Sequence, residues 1–225
     1  MAFTVAGMAS MALWLTVHAA VAPSAGCSAP KPVEQPATVT APSLPQSVSD
    51  QMARIDWVKR VGFEAGIFVS IPEQMLYLVE NGVLVWQARC STAAAGVGSR
   101  EGSLQTPTGW HKVEAKIGDG MPWGQVFRSR QTAKQIWKPG METKEDLVLT
   151  RVLTLDGLEP GVNRGKDGAG KVVDSQARGI YIHGTNGEEN IGKPASHGCV
   201  RLLNDDVIAL FDRVPKGILV YISDK

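Results

Sequence analysis

The chain has 225 residues, of which 44% are hydrophobic and 20% are charged, and its formal net charge at pH 7 is +1. This length and composition are those of one globular domain of ordinary size with a real hydrophobic core. A net charge so close to zero excludes the basic field of a general nucleic-acid binder, so we expect no nucleic-acid partner.

Residues 1–27 predict an export segment. The apolar stretch 2–21 contains no Lys, Arg, Asp or Glu and precedes a run of small residues, as in a secretory signal. Three alternatives stay open: a lipoprotein signal ending at a lipidated Cys27, an ordinary cleaved signal, and a retained membrane anchor. We expect export to the periplasm or cell envelope, with membrane contact only through a lipid on Cys27 or through this segment.

Residues 28–49 predict a linker. This segment contains five prolines among small and polar residues: Pro30, Pro32, Pro36, Pro42 and Pro45. Such a stretch cannot bury a core and is typical of an extended, semi-rigid tether.

A short helix is predicted next, at about residues 50–65, with Ser49 or Asp50 as its cap and Gly62 as its stop signal. From residue 66 to residue 223 strand patterns dominate, and an Asn-Gly pair between two apolar runs predicts a β-hairpin. The predicted strands cover residues 66–71, 75–80, 83–93, 108–117, 145–155, 178–184 and 217–223.

One main helix is predicted inside this domain, from Asn204 to Val214. Asn204 occupies the capping position, and the spacing of Val207 and Leu210 predicts a buried stripe. Many strands with one main helix, placed shortly after Cys199, predict a mainly β domain, either a sandwich or an open barrel.

The loop before this helix holds a candidate nucleophile, Cys199. A cysteine becomes nucleophilic when a neighbouring base makes it a thiolate. His183 ends a predicted strand, so its ring can be held rigidly, and Cys199 follows 16 positions later, which allows a loop to return. His197 would face the same side as Cys199 in an extended segment. These residues predict a thiol acyl-transfer site.

Three neighbouring residues fit such a site. Gly184 and Gly198 let the backbone approach a substrate closely, as an oxyanion pocket of N–H groups requires. Arg201 has the planar guanidinium that holds a carboxylate by two parallel hydrogen bonds.

Two competing interpretations involve the same cysteine. A zinc site would use His111, His183, His197 and Cys199, but no C-x-x-C or H-x-x-x-H spacing occurs, so we expect no metal and no cofactor. A disulfide between Cys90 and Cys199 would suit an oxidising compartment. The position of Cys90 inside a predicted strand favours a buried free thiol instead.

The string HGTNGEENIGKPASHGCVRL, at residues 183–202, resembles the signature of the L,D-transpeptidase family with the YkuD-type catalytic domain. The segments QTPTGWHKV at 105–113 and GIFVSIPEQMLYLVENG at 66–82 are similar to further parts of that domain. The resemblance covers residues 66–223 and implies the fold of that family. It also implies a peptidoglycan stem tetrapeptide as donor, a second stem peptide as amine acceptor, and a 3→3 cross-link as product.

The resemblance assigns a role to each residue of the motif. Cys199 would attack the carbonyl of the third stem residue and expel the terminal D-Ala. His183 would be the base and acid, its imidazolium facing the thiolate, and the Gly184 carbonyl would orient its ring. The other roles form a set: oxyanion donors at the N–H groups of Gly198 and Cys199, His197 as a shaping residue, Arg201 on a stem-peptide carboxylate, and Ser196 and Thr185 as lining residues.

Several functional alternatives remain open at this point. Water could resolve the thioester, which would make an L,D-carboxypeptidase, or the acceptor could be a lipoprotein or a free D-amino acid. A non-catalytic peptidoglycan-binding domain is the alternative from another class, although a pure binder has no need of a thiol. We expect the loops 119–130 and 150–168 to frame the groove, with Trp123 or Trp137 either contacting substrate or packing the loops onto the body.

Overall fold

The computed structural model of the protein describes residues 43–62 and 64–225. The predicted export segment, with Cys27, and the predicted linker as far as residue 42 lie outside these residues. All described residues fall within one compact unit. None of their helices has the length and apolar character needed to cross a membrane.

The predicted helix near residues 50–65 is in fact two helices, α1 at Gln46–Arg54 and α2 at Trp57–Val61. The helical conformation is interrupted between them at Asp56, whose φ of 53° lies in the left-handed region. Helix α1 begins directly after Pro45, so the last four residues of the predicted linker are helical. Tertiary packing explains this extension, because Val48 in the first turn is fully buried against the domain.

Ten strands and one longer helix make up the rest of the domain, so the prediction of a mainly β domain is confirmed. The helix after Cys199 is α3 at Asn204–Arg213, and a short 3-10 turn covers Glu188–Asn190. The strands are β1 Ala65–Ser70, β2 Met75–Glu80, β3 Val83–Arg89, β4 Gly109–Ile117, β5 Gln125–Arg128, β6 Gln131–Ile136, β7 Val148–Gly157, β8 Tyr181–Gly184, β9 Val200–Leu202 and β10 Leu219–Ser223.

All ten strands belong to one mixed sheet with the order β3-β2-β1-β10-β4-β7-β5-β6, and β8 pairs with both β7 and β9. Only the pairs β1–β10 and β8–β9 are parallel. The predicted hairpin joins β2 to β3 through Asn81 and Gly82, whose φ values of 51° and 75° are those of a type I′ turn.

Strand β1 shows how the sheet builds a core on each face. Ile67 and Val69 pack into the cluster that α3 covers, whereas Phe68 between them packs with Trp57 of α2 on the opposite face. This alternation follows from the period of two along a strand. The helices therefore cover opposite faces of the same sheet.

The loop predicted at 119–130 contains β5 and is followed by β6, and neither strand was predicted. Strand β6 is exposed at five of its six residues and has no apolar alternation, because it lies at the end of the sheet. A strand whose side chains face solvent on both faces of the sheet shows no alternation of apolar and polar residues in the sequence.

Asn204 does not cap α3, contrary to the prediction. The residue is fully buried, and its amide donates to the Thr185 carbonyl (2.7 Å) and to the Glu188 carboxylate (2.8 Å) while its oxygen accepts from the Thr150 hydroxyl. The carboxylate of Glu188 supplies the cap instead, accepting from the Asn204 backbone N–H at 2.8 Å. Asn204 thus joins β7, the loop after β8 and the start of α3.

We expect Asn204→Ala to destabilise the domain by about 2–4 kcal/mol, because it leaves several buried polar partners without hydrogen bonds. Urea denaturation followed by fluorescence measures this loss. Asp212→Ala, at an exposed position of the same helix, is the control and should cost less than about 0.5 kcal/mol. Equal stability of the two variants would contradict the role given to Asn204.

Candidate active site

The parallel pairing of β8 with β9 places the candidate base and the candidate nucleophile on neighbouring segments. Ile182 pairs with Val200, and both side chains point into the core. Because side chains alternate along strands, His183 and its partner Arg201 point to the opposite face, and Cys199 directly precedes β9. His183 and Cys199 are both close enough to Asp146 and Arg201 for those charges to affect their pKa values.

The His183 ring is held in one tautomer. Its Nδ1 lies 2.7 Å from the Gly184 carbonyl oxygen, which can only accept, so Nδ1 carries the proton and Nε2 keeps its lone pair. Burial lowers the pKa of His183 to about 4, although the Gly184 hydrogen bond and the Asp146 carboxylate act in the opposite direction. At neutral pH the ring is uncharged, with Nε2 available as a base.

Burial acts on the Cys199 thiol as well. Burial raises its pKa to about 11, while the Tyr181 N–H, which donates to Sγ at 3.4 Å, acts to lower it. The thiol itself donates to the Gly179 carbonyl at 3.4 Å. Among the described residues, no hydrogen bond links this sulfur to the His183 ring, and burial disfavours the charged form of each group, which opposes the predicted imidazolium and thiolate.

Gly184 is required by close packing. A Cβ at this position would lie 2.3 Å from Asn204 Oδ1 and 3.0 Å from the Leu149 carbonyl, and neither is the free end of a flexible side chain. The predicted role of the Gly184 carbonyl therefore has a structural basis, because these contacts keep that carbonyl on the His183 ring.

The two predicted oxyanion donors differ in their surroundings. The Gly198 N–H already donates to the Ser196 hydroxyl at 3.2 Å, and that hydroxyl donates to the Cys199 carbonyl at 2.6 Å. In the part of the chain that the structure describes, the Cys199 N–H has no acceptor. Cys199 thus offers the free donor that a developing oxyanion needs.

Ser196 and Thr185 do not line the site as predicted. Both are buried, at 1% and 0% exposure. Ser196 closes the turn before Cys199, and the Thr185 hydroxyl accepts from the Gly187 N–H at 3.1 Å. They hold the loop in place because hydroxyl groups readily satisfy nearby backbone groups.

Arg201 also departs from its predicted role. It is only 5% exposed, and its guanidinium pairs with Asp146. His197, largely exposed, places Nδ1 at 3.0 Å from the same Asp146 oxygen. A carboxylate of the chain itself therefore occupies the position that a substrate carboxylate was expected to take on Arg201. Asp146 was missed because it lies in the chain 55 residues before Arg201, outside any motif.

The residues of the competing zinc-site and disulfide interpretations have the following surroundings. Both ring nitrogens of His111 are hydrogen-bonded, to the Gly109 carbonyl and the Ser175 hydroxyl at 3.0 Å each. Within residues 43–62 and 64–225, no group of three or more His, Cys, Asp or Glu residues is arranged to hold a metal. Cys90 and Cys199 are both free thiols, and Cys90 lies in the core.

The two tryptophans of the flanking loops stack on each other, with ring centroids 5.8 Å apart. Trp137 is buried, and the Trp123 indole N–H donates to Asp205 of α3 at 3.0 Å. These contacts favour the interpretation in which the tryptophans pack the loops onto the body.

Comparison with known proteins gives one consistent answer. The family model of the L,D-transpeptidase catalytic domain matches residues 64–222. A probable L,D-transpeptidase, ErfK/SrfK of Salmonella typhimurium, is 28% identical over 183 residues, which are 81% of this chain and 52% of the relative. The putative L,D-transpeptidase YqjB of Bacillus subtilis is 54% identical over 46 residues, 20% of this chain and 26% of that protein. The chain thus spans about half the length of the Salmonella relative.

Solved structures with a similar arrangement include an L,D-transpeptidase C442S mutant of Enterococcus faecium, at 15% identity and a TM-score of 0.43, covering 71% of this chain and 50% of that one. An L,D-transpeptidase from Mycobacterium smegmatis is 16% identical with a TM-score of 0.41, covering 71% of this chain and 58% of the other.

We expect alkylation of Cys199 by iodoacetamide to accelerate about tenfold per pH unit from pH 7 to pH 10, because the thiolate fraction rises until the pH reaches the raised pKa of the thiol. Mass spectrometry of the labelled peptide gives the rate, and Cys199→Ser gives the background from the other cysteines. A rate that is already constant above pH 7 would instead demonstrate a preformed thiolate.

Proposed function

The chain belongs to the family of L,D-transpeptidase catalytic domains, and we propose that it transfers the acyl group of a peptidoglycan stem tetrapeptide to an amine through a thioester on Cys199. The observation that carries this proposal is that His183, whose tautomer is fixed by the Gly184 carbonyl, lies on β8, and the partner strand β9 begins one residue after Cys199. A nucleophile, a base and a group that orients the base are the parts that covalent acyl transfer requires.

Acylation begins with a proton transfer. The Nε2 of His183 takes the thiol proton while Sγ attacks the carbonyl carbon of the third stem residue, which is joined by an amide bond to the terminal D-Ala. The Cys199 N–H stabilises the oxyanion of the tetrahedral intermediate. His183 then returns its proton to the D-Ala nitrogen as the carbon–nitrogen bond breaks, which leaves the thioester and a free D-Ala.

Deacylation repeats these steps with a new nucleophile. The acceptor amine attacks the thioester carbonyl and gives a proton to His183, and the expelled sulfur takes that proton back. Because burial disfavours a charged ring, the imidazolium formed in each half-reaction needs a nearby negative charge. The Asp146 carboxylate raises the pKa of His183 and thus stabilises this transient cation.

We place this reaction in the cell envelope, where stem peptides are found. The apolar, uncharged residues 2–21 support export of the chain, and a lipid on Cys27 would tether the domain to a membrane.

We expect incubation with a purified stem tetrapeptide to add the tripeptide acyl group to the wild-type protein, as measured by intact mass. Cys199→Ala should form no adduct, and His183→Ala should acylate about 100-fold to 10,000-fold more slowly because it lacks the base. Cys90→Ala, which changes the other cysteine of the domain, is the matched control and should acylate normally. An adduct on Cys199→Ala would overturn the mechanism.

Analysis of the released product separates the outcomes. A peptide cross-linked to an added amine acceptor supports transfer. A free tripeptide as the sole product, with acceptor present in excess, would replace the transpeptidase by a carboxypeptidase.

A further inference from the structure

Two arginines lie near the Cys199 thiol, and their surroundings differ. Arg201 is buried and its charge is balanced by Asp146. Its Nε has no acceptor among the described residues, but this atom is buried too and therefore out of reach of a substrate. Arg178 is partly exposed, and within the described residues no carboxylate lies within ion-pairing distance of its guanidinium.

Arg178 is held beside the nucleophile by the turn that leads into β8. Its backbone N–H donates to the Asp174 carbonyl at 2.9 Å, and the next residue, Gly179, accepts the hydrogen bond of the Cys199 thiol. A Cβ on Gly198 would lie 3.9 Å from Arg178 Nη2. The guanidinium is thus adjacent to the residue that precedes the nucleophile.

The partners of the Arg178 guanidinium are all uncharged. Nη2 donates to the Gln105 carbonyl at 2.8 Å and reaches the Ser103 hydroxyl at 3.5 Å, and Nη1 donates to the Gly98 carbonyl at 3.3 Å. A guanidinium has five N–H donors, so at least two of them remain for another acceptor. These contacts fix its positive charge in place without an ion pair, although the charge of the Glu101 carboxylate also reaches it.

The electrostatic effect of Arg178 reaches the sulfur, because this cation lowers the pKa of Cys199. A rigid, partly desolvated guanidinium with free N–H donors is well suited to bind a planar carboxylate. It binds a carboxylate more readily than a guanidinium that is already paired with one.

We propose that Arg178, and not Arg201, binds a carboxylate of the acyl donor beside Cys199. The identity of the donor rests on the proposed function, but the presence of an anion-binding group at the thiol does not. A stem tetrapeptide offers such a carboxylate at its C-terminus and, where its diamino acid has one, on that side chain.

The first test needs no turnover. Iodoacetate and iodoacetamide alkylate the same thiolate, so the ratio of their rates cancels the thiolate fraction and reports only the preference for a negative reagent. We expect this ratio at Cys199 to be about fivefold higher in the native protein than in the same protein unfolded in urea. Equal ratios in the two states would overturn the proposal without any variant.

Variants then assign the preference to one residue. Arg178→Gln should lose the iodoacetate preference, whereas Arg178→Lys, which keeps the charge, should retain most of it. Arg100→Gln is the matched control, because it removes the same charge from an exposed arginine that is already paired with Asp167 at 3.0 Å. A preference that survives in Arg178→Gln, or is lost equally in Arg100→Gln, would contradict the assignment.

Donor analogues identify which carboxylate binds. With the wild-type protein, we expect amidation of one donor carboxylate to raise KM about tenfold, and with Arg178→Gln the amidated and free donors should have equal KM values. The C-terminal amide and the side-chain amide are tested separately. If transfer occurs but Arg178→Gln leaves both the alkylation ratio and the KM difference unchanged, this inference fails while the proposed function stands.

Discussion

The active site depends on the register between β8 and β9. These strands have only four and three residues, and a slip of one residue in β8 would turn His183 towards the core. The register is set on the other face, where Ile182 and Val200 are completely buried. Burial of aliphatic side chains therefore sets the position of His183 relative to β9, the strand that Cys199 precedes.

Two parallel strands also need a connection that runs from the end of the first strand back to the start of the second. Asn204 holds the connection between β8 and β9 in place. The side chain reaches Thr150, where β7 is irregular in its pairing with β8 and φ is 70°, an unusual value for a β-branched residue. The irregularity gives Asn204 room, and Asn204 in turn packs against Gly184. The stability of the domain and the orientation of His183 are thus coupled through one buried amide.

The sequence allowed prediction of those elements in which one face is buried, such as the β2–β3 hairpin and α3. It did not allow prediction of β6, whose residues face solvent, or of β9, which is too short to show a period. The catalytic motif could be located because its residues are close in the chain. The environments of Arg201 and Arg178 could not be predicted, since the sequence alone does not distinguish a buried, paired arginine from a partly exposed one.

This difference between the two arginines decides the charge at the nucleophile. Asp146 pairs with Arg201, and the two act on the pKa of Cys199 in opposite directions. Arg178 has no ion-pair partner among the described residues, and it lowers the pKa of Cys199. Burial raises the pKa of Cys199 and lowers that of His183, so in the proposed mechanism the proton transfer between them is coupled to the arrival of an acyl donor.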